Sequence, residues 1–204
     1  PVSDYSKTVW FTRYDVTALL QEGTNVAAAC LGNGFFNEPF PSSWDYDTAP
    51  WRDLPKMVLS LEVNGKTVLE SDTSWKCTPF SATVFNQLRL GEVFDARLYD
   101  KNWTGAAFDD SLWENAVLDT APLGVLRECT CPPLRAFEEY PVKECIKLGE
   151  NKYLLDFGQN LSGFARLRVC QPEGEEIILR YSEEAKDGQL FIDRHLPAHY
   201  PENG

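Results

Sequence analysis

The segment from Met57 to Leu69 constrains the fold more strongly than any other part of the chain. Every second residue from Met57 to Val63 is apolar, and in an extended chain such residues face the same side. Asn64 and Gly65 follow directly, and this dipeptide readily adopts the two positive-φ conformations of a tight hairpin turn. The sequence therefore predicts an antiparallel β-hairpin centred on Asn64-Gly65.

A second segment, Ala165 to Tyr181, repeats this pattern. Apolar residues alternate with arginines up to Val169, a Pro-Glu-Gly turn begins at Pro172, and the alternation resumes at Ile177. This pattern predicts a second hairpin.

Helical signals are scarce. The run from Phe108 to Trp113 predicts one short helix, because its early acidic residues favour a helix N-terminus and its aromatics can hold one turn against a sheet. Many short strands with little helical periodicity predict an all-β fold of antiparallel β-sandwiches. The turn-rich run from Ala121 to Pro133 is typical of a boundary, so we predict one domain over residues 1–125 and a second over residues 126–204.

The charge of the chain excludes two classes of partner. Among 204 residues, 19 lysines and arginines face 31 aspartates and glutamates, giving a formal net charge of −12 at neutral pH. Such a chain repels nucleic-acid phosphates and anionic lipid, so we predict neither a nucleic acid nor a membrane as partner. No apolar run approaches the roughly 18 residues that would span a bilayer. Neutral and cationic partners stay open.

The stretch "LLDFGQNLSGFARLRV", Leu154 to Val169, contains pieces of two nucleotide-binding motifs. Its Asp-Phe-Gly would need a glycine-rich loop, a strand lysine and a catalytic-loop aspartate to form a kinase site, and the chain lacks all three. A P-loop would continue through Gly-Lys-Ser/Thr into a helix, whereas here Gly163 leads into a predicted strand. We interpret the stretch as a β-corner in which Gly158 supplies a left-handed turn conformation.

Phe35 to Arg52 forms a long irregular segment rich in aromatic and polar residues. Aromatic faces stack on the C–H surfaces of sugars, and amides, carboxylates and guanidinium groups bond hydroxyls, so this mixture is typical of a carbohydrate site. The alternative interpretation is that the aromatics cap the sandwich or pack against another domain. The candidate carbohydrate-binding residues are Phe36, Trp44, Asp45, Asp47, Trp51 and Arg52.

Five segments, taken in order, carry a family resemblance: "YDVTALLQEGTNVAAACLGNGFF", "SSWDYDTAPWRDLPKMVLSLEV", "GEVFDAR", "FDDSLW" and "LLDFGQNLSGFARLRV". Together they resemble the non-catalytic β-sandwich region of bacterial α-L-rhamnosidases, from Tyr5 to about Arg194. The resemblance implies a jelly-roll, galactose-binding-like sandwich followed by the truncated start of a concanavalin-like sandwich. In that family an (α/α)₆ barrel with carboxylate catalysts performs the inverting hydrolysis of terminal α-L-rhamnose from glycans or glycosides.

The sequence contains no sign of that barrel, because repeated apolar residues at 3.6-residue spacing do not occur. Inverting hydrolysis needs two carboxyl groups roughly 6.5–9.5 Å apart across a cleft. Neighbouring acids such as Glu138-Glu139 and Glu183-Glu184 instead point to opposite faces of a strand or lie on turns. We therefore predict no catalytic residue and expect a fragment of a glycoside hydrolase that is inactive alone.

Metal binding has little support in the sequence. Some related modules bind rhamnose through calcium, and Asn33, Asp45 and Asp47 are oxygen donors of the right type, so calcium is an open alternative without assigned ligands. His195 and His199 have helical metal-site spacing, but a proline lies between them. The six cysteines match no usual zinc spacing. We assign no metal-binding residue.

Three functions follow as alternatives. The chain supports the catalytic barrel of a rhamnosidase, it acts as an autonomous carbohydrate-binding module, or it is a cell-surface interaction sandwich. The first two predict a rhamnosylated glycan and the barrel as partners. Polysaccharide-degrading relatives imply a periplasmic or secreted setting, although the sequence itself fixes no compartment.

Overall fold

The computed structural model describes residues 3–39, 45–88, 90–132 and 134–191. Within these ranges the chain forms twelve short strands and three one-turn 3₁₀ helices. The strands pair into six two-stranded ladders, five antiparallel and one parallel. The predicted all-β, antiparallel class is confirmed. The strands are β1 (Thr8–Phe11), β2 (Ser60–Val63), β3 (Lys66–Glu70), β4 (Lys76–Cys77), β5 (Thr83–Gln87), β6 (Gly91–Phe94), β7 (Glu114–Asn115), β8 (Val125–Glu128), β9 (Glu144–Gly149), β10 (Lys152–Asp156), β11 (Glu184–Lys186) and β12 (Gln189–Phe191), and the 3₁₀ helices are Thr17–Leu19, Tyr46–Thr48 and Ala96–Leu98.

The predicted hairpin at Asn64-Gly65 is confirmed. Both residues adopt left-handed backbone conformations, with φ of 51° and 74°, and the turn joins β2 to β3. Val63 pairs with Lys66, and the register shifts between Leu61 and Glu62. Such an irregularity bends the strand and increases its twist.

The predicted second hairpin is wrong as a strand pair, although its turn is present. Gly174 has a φ of 88°, and the Glu175 N–H donates to the Pro172 carbonyl at 3.3 Å. Residues 165–171 and 175–181 nevertheless form no ladder. Their apolar side chains remain close to half exposed, as at Leu167 (48%) and Ile177 (45%). Without a covered face, alternation does not fix the register of an isolated strand pair.

The predicted helix at Phe108–Trp113 is also wrong, and the segment forms a turn. Asp109 Oδ1 accepts the Ser111 N–H at 3.0 Å, and the Trp113 N–H donates to the Asp110 carbonyl at 2.9 Å. The aspartate side chain thereby supplies a local alternative to helical hydrogen bonds. The Phe108 and Trp113 rings still contact edge to face, with centroids 5.4 Å apart. In the described part of the chain no helix has the length and apolarity needed to cross a bilayer.

The chain divides into two compact units between Thr130 and Cys131. The first unit contains the β1·β8, β2·β3, β4·β7 and β5·β6 ladders, and the second contains β9·β10 and β11·β12. β8 begins at Val125 and pairs in parallel with β1. The domain boundary between residues 125 and 126 stays a prediction.

Few side chains are buried in the described ranges. Ala82 and Leu154 are the buried apolar residues, and Glu38 and Gln87 are the buried polar ones. Leu154 lies on β10 opposite Ile146 of β9. Glu38 is only 2% exposed although it belongs to the irregular aromatic segment. That segment is therefore packed against its surroundings and is not a freely solvated loop.

Candidate functional site

The aromatic loop, defined as residues 33–56, has two described limbs, 33–39 and 45–56. Hydrogen bonds join the two described limbs. The Asp53 N–H donates to the Phe36 carbonyl at 3.3 Å, and Arg52 Nε donates to the Glu38 carbonyl at 2.7 Å. Asn33 Nδ2 also donates to the carbonyl of Asn86, a residue of strand β5, at 2.8 Å. The loop is therefore held in one arrangement against the first unit.

The rings of the loop form a connected aromatic cluster. Phe36 meets Tyr5 edge to face, with centroids 5.2 Å apart, and Phe35 meets Tyr46 in the same way at 5.2 Å. Trp51 lies between them, tilted against Tyr5 at 6.3 Å and against Tyr46 at 6.2 Å. These distances lie in the range of favourable aromatic pairing. Burial in this cluster raises the pKa of the Tyr5 hydroxyl above its ordinary value.

Among the aromatic residues predicted for the site, the structure brings Phe36 and Trp51 together through Tyr5. Trp44 lies outside the described residues. Tyr5 was not predicted as a member of the site, because it precedes the loop by a long stretch of sequence and no periodic pattern connects the two. Its aromatic character was the only available signal.

The polar residues predicted for the site differ in exposure and in the contacts that they make. Asp45 is exposed, has a φ of 52° and precedes the 3₁₀ helix Tyr46–Thr48, which contains Asp47. Arg52 is exposed but uses its Nε to hold the Glu38 carbonyl. Asp47 is partly buried beside Tyr46 in the sequence, whereas Arg52 joins the two limbs.

Two buried polar atoms beside the cluster have no hydrogen-bond partner among the described residues: Asp47 Oδ1 and Trp51 Nε1. An unsatisfied buried donor or acceptor costs about 1–3 kcal/mol. One atom accepts and the other donates, and a hydroxyl group can serve both kinds of partner. The chemistry of the cluster thus suits a ligand that carries hydroxyl groups and C–H faces.

The structure does not gather the oxygen donors considered for calcium into a group within the described ranges. Asn33 Oδ1 already accepts Asn37 Nδ2 at 2.8 Å, and Asp45 is exposed. No group of three or more Asp, Glu, His or Cys side chains in the described ranges could hold a metal ion. His195 and His199 lie outside these ranges. Calcium therefore stays an open alternative without assigned ligands.

The Asp-Phe-Gly segment forms the predicted left-handed corner. Gly158 has a φ of 78°, and Asp156 Oδ1 accepts its N–H at 2.6 Å. The side chain of Lys143 covers the glycine, because a Cβ at position 158 would lie 2.5 Å from Lys143 Cδ. The Lys143 N–H also donates to the Asp156 carbonyl at 2.8 Å. These contacts give the segment a scaffold role.

The described strands and the aromatic loop define an all-β module. The family described as the α-L-rhamnosidase N-terminal domain matches residues 1–138. The bacterial α-L-rhamnosidase concanavalin-like domain matches residues 146–202. The chain belongs to the α-L-rhamnosidase N-terminal domain family.

Similar proteins agree with this assignment. An α-L-rhamnosidase of Formosa agariphila is 32% identical over 184 residues, which are 86% of this chain and 19% of that protein. One from Alteromonas sp. is 24% identical over 197 residues, 96% of this chain and 21% of that protein. The chain therefore spans about a fifth of the length of these relatives.

A solved structure is similar as well. The α-L-rhamnosidase structure from Dictyoglumus thermophilum has a TM-score of 0.57 and 28% identity, covering 78% of this chain and 17% of that one. The likeness places the chain in the antiparallel β-sandwich class predicted from its sequence.

Proposed function

We propose that this chain is a non-catalytic β region of an α-L-rhamnosidase and that it supports the catalytic barrel of the enzyme. The main support is that two rhamnosidase domain families match this chain in order, and that the chain spans about a fifth of the length of its relatives. The all-β described residues add support, because an (α/α)₆ barrel requires repeated helices. The whole enzyme would remove terminal α-L-rhamnose from glycans or glycosides.

The test of this role is the hydrolysis of an aryl α-L-rhamnoside by the purified chain. We expect no release of the aryl group above a buffer control, because the described residues form no part of a helical barrel, to which the resemblance assigns the catalytic carboxylates. A full-length α-L-rhamnosidase assayed in parallel shows that the substrate and conditions are adequate. Turnover that copurifies with the folded chain would overturn the proposal.

We further propose that the aromatic loop binds carbohydrate. Its support is the cluster around Trp51, with the unpaired acceptor Asp47 Oδ1 and the unpaired donor Trp51 Nε1. Both atoms are covered in the structure, so a side-chain rotation would have to expose them before sugar hydroxyls could satisfy them; the neighbouring rings would cover the C–H face of the sugar. The competing interpretation is that the rings serve burial alone or pack against the barrel.

Calorimetric titration with L-rhamnose and rhamnosylated oligosaccharides tests the binding proposal. We expect saturable heat, unchanged in the presence of a chelator, and an affinity about fivefold lower in Trp51→Phe, which loses one hydrogen-bond donor but keeps a ring. Trp75→Phe is the matched control, because Trp75 Nε1 donates to the Glu70 carbonyl outside the loop. Absence of heat with folded protein would leave the rings a purely structural role.

A further inference from the structure

Lys56 lies at the C-terminal end of the aromatic loop and uses its full hydrogen-bonding capacity. Its Nζ is 2.5 Å from Asp53 Oδ2, 2.8 Å from Asp119 Oδ2 and 3.0 Å from the Thr120 carbonyl. An ammonium group has three N–H donors, so these acceptors match all of them. The bonds to Asp119 and then Asp53 raise the pKa of Lys56 above its ordinary value, which keeps it charged.

The burial of Lys56 distinguishes it from the other ion-paired cations in the described ranges. Its side chain is 21% exposed, whereas the others are 56% or more exposed. Exposed pairs typically contribute little, because water screens the charges and two long side chains lose conformational freedom. The Lys56 side chain is mostly covered and its ammonium has three matched acceptors, although the carboxylates of Asp53 (49%) and Asp119 (54%) are about half exposed.

The three acceptors come from two distant parts of the sequence. Asp53 belongs to the aromatic loop, whereas Asp119 and Thr120 lie in the connection between β7 and β8. Lys56 therefore ties the end of the loop to the segment that leads into β8. No strand ladder makes this link in the described part of the chain.

A short path connects this junction with the aromatic cluster. The Asp53 N–H donates to the Phe36 carbonyl, and Arg52 Nε donates to the Glu38 carbonyl. Trp51 precedes these two residues directly. Fixing Asp53 through Lys56 therefore fixes the limb that carries Trp51 and its contact with the other limb.

We propose that Lys56 is a positioning residue that holds the aromatic loop in its carbohydrate-binding arrangement, with Asp119 as its anchor outside the loop. The proposal rests on the proposed carbohydrate-binding function of the loop. Its distinctive consequence is that a carboxylate far from the loop in sequence controls both the order of the loop and its affinity for sugar.

Amide hydrogen exchange of the full chain tests the positioning role without any ligand. In Lys56→Met we expect amides of the loop, the Asp53 N–H among them, to exchange about tenfold faster, while the β2·β3 and β5·β6 ladders stay unchanged. Asp119→Asn should act in the same direction but less strongly, because Lys56 keeps Asp53 and the Thr120 carbonyl as acceptors. Lys76→Met is the matched control, because that lysine donates at 2.7 Å to Asn115 Oδ1, away from the loop.

A double variant and a charge-retaining variant sharpen the test. Lys56→Met combined with Asp119→Asn should exchange no faster in the loop than Lys56→Met alone, because Asp119 acts on the loop only through Lys56. Lys56→Arg should retain most of the protection. Unchanged loop exchange in both single variants, or equal acceleration in every ladder, would overturn the proposal.

Titration with L-rhamnose separates this proposal from the proposed function. If the unaltered chain binds, Lys56→Met should lower the affinity about tenfold and Asp119→Asn should lower it by less, and an unchanged affinity in both variants would overturn the positioning role. If the unaltered chain shows no binding, the carbohydrate-binding function fails and the part of the inference that depends on it fails too. Loop exchange then still decides whether Lys56 orders the loop.

Discussion

At the residue scale, aspartate is the main turn-forming side chain of this protein. An aspartate Oδ1 repeatedly accepts the backbone N–H two residues further on, which is the Asx-turn arrangement. Part of the acidic composition therefore serves local structure, and the net charge of −12 does not by itself indicate a cationic partner. The aspartates with this bond are Asp4, Asp15, Asp72, Asp95, Asp100, Asp109 and Asp156.

These bonds make a prediction about pH at Asp95. Hydrogen bonds from the Arg97 side chain and backbone lower the pKa of Asp95 from 3.8 to about 2. Because the folded-state pKa is lowered, the stabilisation is complete above 3.8 and is lost as the pH falls towards 2. We expect Asp95→Asn to lower the melting temperature most at about pH 6 and progressively less on acidification.

Thermal denaturation across this pH range, followed by circular dichroism, checks the prediction. The asparagine does not titrate, so the difference between the two proteins isolates the carboxylate. Glu114→Gln, on the short strand β7, is the control for removing an acidic charge elsewhere in the same unit. A difference between Asp95→Asn and the unaltered chain that does not vary with pH would contradict the assignment.

At the element scale, the parallel β1·β8 pair depends on a glycine just before β8. The Gly124 N–H donates to the Tyr5 carbonyl at 3.0 Å, and the Val125 N–H donates to the Lys7 carbonyl at 2.9 Å. A Cβ at position 124 would lie 2.6 Å from both Thr8 N and the Tyr5 carbonyl oxygen. The backbones therefore approach more closely than any residue with a side chain allows.

We accordingly expect Gly124→Ala to destabilise the first unit. Overpacking against fixed backbone typically costs about 1–3 kcal/mol, measurable as a lower midpoint in urea denaturation. Gly149→Ala, at the end of β9, is the matched control, because a Cβ there would have no atom within 4 Å. Equal effects of the two substitutions would show that the close approach at Gly124 is not restrictive.

Local sequence patterns predicted some secondary-structure elements correctly and others wrongly, and each outcome has a physical reason. The hairpin predicted at Asn64-Gly65 is confirmed because both residues tolerate the left-handed conformations of the turn. The helix predicted at Phe108–Trp113 failed because Asp109 bonds the nearby backbone of Ser111. The strands predicted around Pro172 failed because alternation specifies a register only where a second layer covers one face.

At the scale of the whole molecule, the chain divides into two units, and each ladder among the described residues lies within one unit. The first unit therefore needs no strand from the second to complete its hydrogen-bonded pairs. We expect residues 1–130, expressed alone, to keep the thermal transition that the first unit shows in the full chain. Scanning calorimetry of both proteins checks this. A single transition in the full chain that disappears in the shorter one would contradict it.

The candidate site was only partly predictable, because some of its contacts join residues that are far apart in the sequence. Sequence composition identified the aromatic loop and the presence of Phe36, Asp47 and Trp51 in it. It could not identify Tyr5, whose ring joins Phe36 to Trp51, because that contact bridges separate parts of the chain. Nor could it distinguish Arg52, which holds the Glu38 carbonyl, from a residue available to a ligand.

The sequence by itself determined the all-β class, the Asn64-Gly65 hairpin and, through its ordered motifs, the rhamnosidase family. These depend on turn chemistry, strand periodicity and the order of segments, all of which are written locally along the chain. The tertiary structure decided the contact of Tyr5 with the loop, the close approach at Gly124 and the junction of Lys56 with Asp119. Each joins residues far apart in sequence, and local propensity and periodicity do not specify such pairs.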